Sequence, residues 1–330
     1  MGESFYLYKS GRLKRKDNTI EIIYKDSTKR TLPIEQARDL YVMSEFDFNT
    51  DIFNYLSKYG VNVHFFNYYG FYTGTYYPKE NLVSGKLLVK QVENYIDKEK
   101  RVKYAKAFIE SSSYNIYRNL RYYSGRGKKL EEAMVNIESL RKKLSDCKTV
   151  EEIMGIEGNI RKIYYKEWTE IINQDIKFDK RVKHPPDNAI NSCISYVNTL
   201  VYTRVLSEIY KTQINPTISY LHEPSDKRFS LCLDIAEIFK PILADRLIFS
   251  MFNKGQISEN DFERGLNFMY IKDNVRKNIT IEFDKKLQTT IKHKTLGREV
   301  TYEYLIRLEV YKLIKSLIED TEYEGFKLWW

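Results

Sequence analysis

The sequence predicts an α+β protein in which a small N-terminal β-sheet domain is followed by a larger, mostly α-helical domain. Residues 4–77 contain short runs of β-branched and aromatic residues, SFYLY, TIEIIYK and RTLPI, separated by polar turn segments. From residue 81 onward, apolar residues recur at helical spacing, and no further long β run occurs before the late 270s. We therefore expect two domains, residues 1–80 and 81–330.

One helix and one hairpin are expected among the N-terminal strands. The helix is predicted around Asp51–Tyr59, and the run VNVHFFNYYGFYTGTYY is predicted to form two strands joined near Tyr69-Gly70. His64 lies in the apolar half of this hairpin, so we expect a core or edge histidine there rather than a metal ligand. Pro78 ends the pattern.

The second domain begins with a strongly basic segment. Residues 86–129 are helical in period and carry twelve Lys or Arg residues against four acids, a net charge of +8 (12 − 4), with tyrosines interleaved. Such a segment can follow a phosphate backbone and offer stacking surfaces to bases, but a solvated helix face over a Tyr-rich core gives the same pattern. The whole chain, with 54 Lys+Arg, 45 Asp+Glu and 28 Tyr, also favours a polyanionic partner.

Helices are predicted in the middle of the chain as well. Residues 129–146 are amphipathic, and Thr149–Glu152 has the capping-box pattern at the start of a helix that contains Glu157 and Arg161. Periodicity alone favours an i, i+4 surface ion pair for these two residues.

A proline-containing connection separates this region from an apolar helix. Pro185-Pro186 excludes helix in the connection, so His184 is expected in an exposed loop. Asp187 is expected to cap the apolar helix that starts near Asn188, which should be buried on most sides.

The last third of the chain is predicted to be helical with one strand. Helical patterns cover 241–253 and 259–269, residues 279–281 suggest a short strand, and 301–320 forms a closing amphipathic helix. The apolar face predicted for that last helix consists of Leu305, Leu308, Tyr311, Ile314 and Ile318.

Residues 220–246, YLHEPSDKRFSLCLDIAEIFKPILADR, carry the main candidate site. Asp234 and Glu237 are spaced i, i+3, so they share one face of a helix within an otherwise apolar segment. Two acids in such surroundings need compensating positive charge. That charge can be a divalent metal with His222 as a further ligand, or it can be a structural salt bridge to Arg228 or Arg246.

Several classes of protein lack their usual sequence marks. No GxxxxGK[ST], GxGxxG or GxSxG motif occurs, which argues against the common ATP-binding, dinucleotide-binding and serine-hydrolase sites. The three cysteines show no paired metal spacing, and no secretory signal or long apolar run is present. We therefore expect a cytoplasmic protein with no membrane partner.

Three segments together resemble one family. The segments GIEGNIRKIYY (155–165), RVKHPPDNAINSCISY (181–196) and 220–246 occur in the order and spacing of the CRISPR-associated spacer-acquisition integrase, the catalytic subunit of the adaptation complex, and look most like its type I-B branch. The resemblance covers nearly the whole chain. It implies an N-terminal dimerisation domain and a helical catalytic domain that binds metal and DNA.

The resemblance also implies the site residues. Glu157, His222 and Glu237 match the family's metal ligands for Mg²⁺ or Mn²⁺, with Asp234 as a companion catalytic acid of undecided role. Asn191 matches a position with a structural or DNA-proximal role. Positively charged side chains expected to help at phosphate are Arg161, Lys227, Arg228 and Arg246.

The chain departs from the family pattern at two positions. Ser219 stands where many members have Gly, and Lys240 stands where Arg is common, so the loop geometry and one phosphate contact are in question. The implied partners are double-stranded DNA fragments, CRISPR repeat DNA, a second copy of the chain and a small ferredoxin-like CRISPR-associated protein that bridges two dimers.

The expected reaction is attack of a fragment's 3′-hydroxyl on a phosphodiester at the edge of a repeat. A metal-dependent endonuclease that acts on branched or single-stranded DNA needs the same residues, because only the entering oxygen differs. A non-catalytic nucleic-acid-binding scaffold, in which the acids form only salt bridges, is the alternative from another class.

Overall fold

The computed structural model describes residues 3–78, 82–183, 185–265 and 269–329. The predicted boundary at residue 80 and the predicted loop position of His184 lie outside these ranges. The chain divides into two compact units, Met1–Val83 and Ser84–Trp330.

Eight strands, one α-helix and a short 3₁₀ helix (Ile34–Gln36) make up the described part of the first unit. The strands and the α-helix are β1 (Glu3–Leu7), β2 (Gly11–Lys16), β3 (Thr19–Tyr24), β4 (Lys29–Pro33), β5 (Ala37–Val42), β6 (Phe46–Asp47), α1 (Thr50–Lys58), β7 (Asn62–Phe66) and β8 (Tyr72–Tyr76). One sheet has the order β1-β5-β7-β8 and the other the order β4-β3-β2-β6. The predicted helix and hairpin are thus confirmed.

Apolar residues from both sheets and from α1 form the core of this unit. Leu13, Ile20 and Val63 come from the two sheets and are fully buried, and α1 adds Ile52. The two-residue turn between β2 and β3 contains Asp17 with φ 52°, a left-handed conformation that short hairpin turns require. His64 is buried, with Nδ1 2.8 Å from Thr75 Oγ1, so it is a core histidine as predicted.

The second unit is mainly helical. Its helices are α2 (Gly85–Ile96), α3 (Lys98–Ser124), α4 (Glu131–Lys142), α5 (Val150–Lys166), α6 (Trp168–Ile171), α7 (Ala189–Ile209), α8 (Ser230–Phe239), α9 (Arg246–Asn253), α10 (Asp273–Gln288) and α11 (Tyr302–Glu319). Two short antiparallel pairs accompany them, β9 (Phe262–Arg264) with β10 (Met269–Ile271) and β11 (Thr290–Lys292) with β12 (Glu299–Thr301). The predicted α+β class is confirmed.

Capping side chains fix where several helices begin. Asp97 ends α2 and caps α3 by accepting from the backbone N–H groups of Glu99 and Lys100, both at 3.0 Å, so the basic segment forms two helices. The capping box of Thr149 and Glu152 is present at the start of α5, as predicted. Helix α7 is capped by Asn188, whose Oδ1 accepts from the Asn191 N–H at 2.8 Å, and not by Asp187.

The segment after α8 widens into a π-helical turn, Lys240–Asp245. Pro241 lacks an N–H and interrupts the normal hydrogen-bond ladder there. Two buried asparagines of α3 donate to carbonyl oxygens of this region, Asn115 to Ile238 at 3.1 Å and Asn119 to Pro241 at 2.8 Å. These bonds hold the end of α8 and the π-helical turn on α3.

Three predictions for the last third are wrong. Residues 259–269 are a 3₁₀ turn and the strands β9 and β10, separated by residues that include Gly265, rather than a helix. Residues 279–281 lie in α10, and Ile279 is buried there. The buried face of α11 includes Ile306, Val310, Leu313 and Leu317, whereas the predicted Tyr311 and Ile318 are exposed.

A search of the described helices finds none that is both long and apolar enough to cross a membrane.

Candidate active site

Asp234 is a fully buried acceptor that holds the loop before α8. Its Oδ2 accepts from the backbone N–H of Tyr220 at 2.7 Å and of Leu221 at 3.0 Å. Its Oδ1 accepts from the His222 N–H at 3.0 Å and from His222 Nδ1 at 2.8 Å. A carboxylate with four donors is fully occupied, so Asp234 orients His222, and because Nδ1 donates to the carboxylate, the ring's lone pair is on Nε2.

Glu157 and Glu237 converge on one guanidinium. Arg161 Nε donates to Glu157 Oε1 at 2.9 Å, which confirms the predicted i, i+4 pair, and Arg161 Nη2 donates to Glu237 Oε2. Lys240 Nζ donates to the other oxygen, Glu237 Oε1. The acid is therefore paired with Arg161 and Lys240, and not with Arg228 or Arg246 as the salt-bridge alternative proposed.

The electrostatics of Glu237 reflect this pairing. Burial by itself would raise the pKa of the Glu237 carboxyl, but the charges of Lys240 and Arg161, with a further contribution from His222, hold that pKa well below its usual range. Burial likewise would lower the pKa of Arg161, yet Glu237 and Glu157 keep it above the ordinary value. Glu237 and Arg161 are thus ionised, and His222 lies within electrostatic reach of Glu237.

Glu157, His222 and Glu237 are residue types that bind divalent metals, but the structure does not arrange them as a metal site. Among the side chains that the structure describes, no three His, Cys, Asp or Glu groups are arranged to hold a metal ion. Arg161 instead supplies the positive charge that Glu157 and Glu237 share. Two carboxylates and one imidazole nitrogen are the ligands that Mg²⁺ or Mn²⁺ would take if Arg161 moved aside.

Asp245 is a buried acid that no sequence pattern singles out. It ends the π-helical turn and is 2% exposed, and its Oδ2 has no hydrogen-bond partner. Burial raises the pKa of Asp245 to about 7, despite the opposing charge of Arg161 and a hydrogen bond with Tyr164. Its only sequence signal is an acid inside the apolar run PILAD.

Of the cations expected to contact DNA, Lys227 and Arg228 are exposed, whereas Arg246 is half-buried. Lys227 and Arg228 are exposed in the loop before α8, where Arg228 Nη2 also donates to the Glu223 carbonyl at 2.8 Å. Arg246 Nε donates to Asn119 Oδ1 at 2.6 Å. All three keep donors that a phosphate can take up.

Asn191 is fully buried and fastens the 180–187 loop to α7. Its Oδ1 accepts from the Val182 N–H at 3.1 Å, and its Nδ2 donates to the Lys180 carbonyl at 3.0 Å and to Asp187 Oδ1 at 2.7 Å. Of the two roles that the resemblance implied, these contacts correspond to the structural one.

Comparisons with known proteins identify the class. A family model described as "CRISPR associated protein Cas1" matches residues 5–285. CRISPR-associated endonucleases Cas1 from Fusobacterium nucleatum and Clostridium perfringens are 58% and 49% identical; both comparisons span 100% of this chain, with 98% and 100% of the relatives covered. The chain belongs to the Cas1 family.

Solved structures share the fold. A CAS1 protein from Thermotoga maritima is 36% identical, with a TM-score of 0.85 over 98% of this chain and 100% of that one. A casposase bound to an integration product has a TM-score of 0.86 at 22% identity, covering 98% of this chain and 93% of the casposase chain. A chain of a Cas6-RT-Cas1–Cas2 complex has a TM-score of 0.83 at 17% identity, covering 99% of this chain and 36% of that one.

Proposed function

We propose that this chain is a metal-dependent DNA integrase that joins the 3′-OH ends of captured DNA fragments to a CRISPR repeat. Membership of the Cas1 family supports a DNA-processing enzyme, and a casposase with the same fold has been solved bound to an integration product. The observation that carries the proposal is the convergence of Glu157 and Glu237 on Arg161 beside a histidine oriented by Asp234.

The reaction is a transesterification. The 3′-oxygen of the fragment forms a bond to a phosphorus at the repeat edge, the bond from that phosphorus to the repeat's 3′-oxygen breaks, and a proton passes from the entering to the leaving oxygen or to solvent. Glu157, His222 and Glu237 would hold Mg²⁺ or Mn²⁺, which when bound acidifies the attacking hydroxyl and screens charge on the phosphorane.

The surrounding residues position these groups. Asp234 fixes the ring and tautomer of His222. Arg161 and Lys240, once freed from the carboxylates, are available for phosphate oxygens, and Arg161 offers a planar fork suited to bidentate contact. The exposed Lys227 and Arg228 would contact the backbone of the incoming DNA.

Separate alanine substitutions at Glu157, His222 and Glu237 test this assignment. Each is expected to abolish Mn²⁺-dependent strand joining, because each removes a metal ligand, while DNA binding measured by fluorescence anisotropy survives. A matched control is Glu151→Ala, an exposed acid in the first turn of the same helix as Glu157. Full joining by all three variants would contradict the assignment and favour the non-catalytic scaffold.

A metal-dependent endonuclease is the second candidate, since the curated relatives are named endonucleases. A plasmid that contains a repeat, supplied with fragments ending in 3′-OH or in 3′-phosphate, separates the two. Joined product from 3′-OH ends alone supports integration. Nicking that does not depend on the fragment end favours the nuclease.

We also propose that the chain forms a homodimer through its N-terminal unit and pairs with a small ferredoxin-like CRISPR-associated protein. The strands β1, β8, β4 and β6 lie at sheet edges, where another chain can add. At the turn between β7 and β8, Tyr68 and Tyr69 are 76% and 56% exposed, which offers aromatic contact area. The solved complex of a relative that contains Cas1 and Cas2 supports the second partner.

A further inference from the structure

The chain after α11 is an extended segment, residues 321–329, which we call the C-terminal strap. None of its described residues is in a helix or strand, yet Tyr323, Phe326 and Leu328 are buried. Asp320, with φ 54°, ends α11 in the left-handed conformation in which chains commonly leave a helix. The backbone polar groups of a buried extended segment need partners from other elements, so the partners of the C-terminal strap show what it holds.

Asn115 of α3 joins the C-terminal strap to the end of α8. Its Nδ2 donates to two carbonyl oxygens, that of Ile238 in the last turn of α8 at 3.1 Å and that of Phe326 at 3.0 Å. Its Oδ1 accepts from the Leu328 N–H at 2.9 Å. Both N–H groups of this fully buried amide are thus used, one on each segment.

Ring packing joins the same two segments. The ring of Phe326 lies nearly parallel to that of Phe239, the last residue of α8, with centroids 5.9 Å apart and 13° between the planes. Ile238 and Phe239 directly follow Glu237 in the sequence. The π-helical turn that starts at Lys240 interrupts the regular hydrogen-bond ladder, so contacts from outside the helix hold the last turn of α8.

The C-terminal strap lies so close to α3 that one of its positions has room only for glycine. Ser111 of α3 donates from Oγ to the Phe326 carbonyl. A Cβ added to Gly325 would lie 2.7 Å from Ser111 Cβ and 3.1 Å from the Ala107 carbonyl oxygen. Carbon atoms in good contact are about 3.5–4.0 Å apart, so a side chain at position 325 would push the C-terminal strap away from α3.

We infer that the C-terminal strap is a positioning element for Glu237, because it holds, directly and through Asn115, the two residues that follow this acid. The last turn of α8 is placed so that Glu237 reaches Arg161, which also pairs with Glu157. The inference rests on the proposed function, since it takes Glu237 as a metal ligand. The C-terminal strap acts through α8, and a displacement of about 1 Å there is enough to lower a reaction rate by about 100-fold.

Gly325→Ala tests the inference, because it is expected to lift the C-terminal strap without changing a residue of α8 or of the candidate site. Trp329 reports the lift, since its ring centroid lies 5.3 Å from that of Phe326 and 5.9 Å from that of His293. Acrylamide should therefore quench tryptophan fluorescence more strongly in the variant. The matched control is Gly85→Ala in the same unit, where an added Cβ meets nothing within 4 Å.

Hydrogen–deuterium exchange in EDTA shows whether α8 follows the C-terminal strap. Amides in the last turn of α8 should exchange faster in Gly325→Ala than in the control, because the contacts that hold this turn are weakened. A second variant, Phe326→Leu, keeps the backbone bonds to Asn115 and removes the ring that faces Phe239. It should have the same effect to a smaller extent.

Metal binding and catalysis supply the functional readout. In Gly325→Ala the Mn²⁺ affinity measured by calorimetry should fall by about 10- to 100-fold, and kcat for strand joining should fall while KM for DNA stays unchanged. A C-terminal strap that served stability alone would lower the melting temperature and leave the Mn²⁺ affinity of the folded protein unchanged.

Two results would overturn the inference: exchange of α8 that matches the control in both variants, or wild-type Mn²⁺ affinity in both variants. Failure of the proposed function looks different, because the wild type itself would then neither bind Mn²⁺ nor join strands. Faster exchange of α8 in EDTA would in that case still establish that the C-terminal strap holds α8.

Discussion

The two acids of α8 have different tasks although they are one turn apart. Asp234 is saturated by three backbone N–H groups and His222 Nδ1, while Glu237 faces the cations Arg161 and Lys240. Asp234 is accordingly a positioning residue, and Glu237 is the acid of α8 that the proposed metal would use. This division follows from the loop before α8 folding back over the first turns of the helix.

Asp234→Asn tests the positioning role. The amide would place a donor against donors in a fully buried position, which costs about 1–3 kcal/mol and lowers the melting temperature. Loss of the carboxylate should also change the tautomer of His222, visible in its ring ¹⁵N chemical shifts, and lower strand joining by about 10- to 100-fold. Unchanged histidine shifts with full joining would show that Asp234 does not orient the ring.

At the scale of elements, the loop that carries His222 is fastened to the basic helix α3. Arg101 Nε donates to the Tyr220 carbonyl at 3.0 Å, and Arg101 Nη2 pairs with Glu223. Tyr95 of α2 also donates to Glu223, and its ring centroid lies 4.5 Å from the Arg101 guanidinium. Arg101, a cation of the basic segment, therefore helps to hold the loop that carries His222.

Arg101→Gln should loosen this loop. Because Glu223 is largely exposed, the ion pair contributes about 1 kcal/mol or less, so stability should change little. Mn²⁺ affinity measured by calorimetry should nevertheless fall several-fold, since His222 is held less firmly. The control is Lys103→Gln, an exposed cation on the same helix, and equal affinities for the two variants would argue against a loop-holding role.

The elements that were predicted correctly are those whose local pattern agrees with their packing. The capping box of Thr149 and the β7–β8 hairpin are examples. Residues 279–281 were mispredicted because a β-branched triplet favours strand locally, whereas in α10 Ile279 is buried and Thr280 Oγ1 lies 2.8 Å from the Tyr196 hydroxyl of α7. The residues predicted for the buried face of α11 are mostly spaced three apart, whereas the helix repeats every 3.6 residues. The predicted set therefore leaves the buried face, and Tyr311 and Ile318 are exposed.

The candidate site was predictable residue by residue but not as an arrangement. Sequence spacing gives the Glu157–Arg161 pair, since both lie on one helix. That Arg161 also reaches Glu237, 76 positions away, depends on how α5 and α8 pack against α3, which no local pattern encodes. Asp245 was missed for the same reason, since its burial is set by the π-helical turn.

At the scale of the whole molecule, the helical unit brings together, at the candidate site, residues of helices that are far apart in sequence. At the candidate metal site, Arg161 and Lys240 neutralise carboxylates. These ion pairs would have to open before the proposed metal or a phosphate could take their place.

The proposed function requires that Glu157, His222 and Glu237 bind one divalent ion. Anomalous scattering from crystals soaked in Mn²⁺ tests it most directly, because the signal locates the metal without reference to activity. We expect one peak within about 2.0–2.6 Å of oxygens of both glutamates and of His222 Nε2, with Arg161 moved away from between the carboxylates. A peak elsewhere, or none at these residues while Arg161 still bridges the two glutamates, would show that the three side chains do not share an ion.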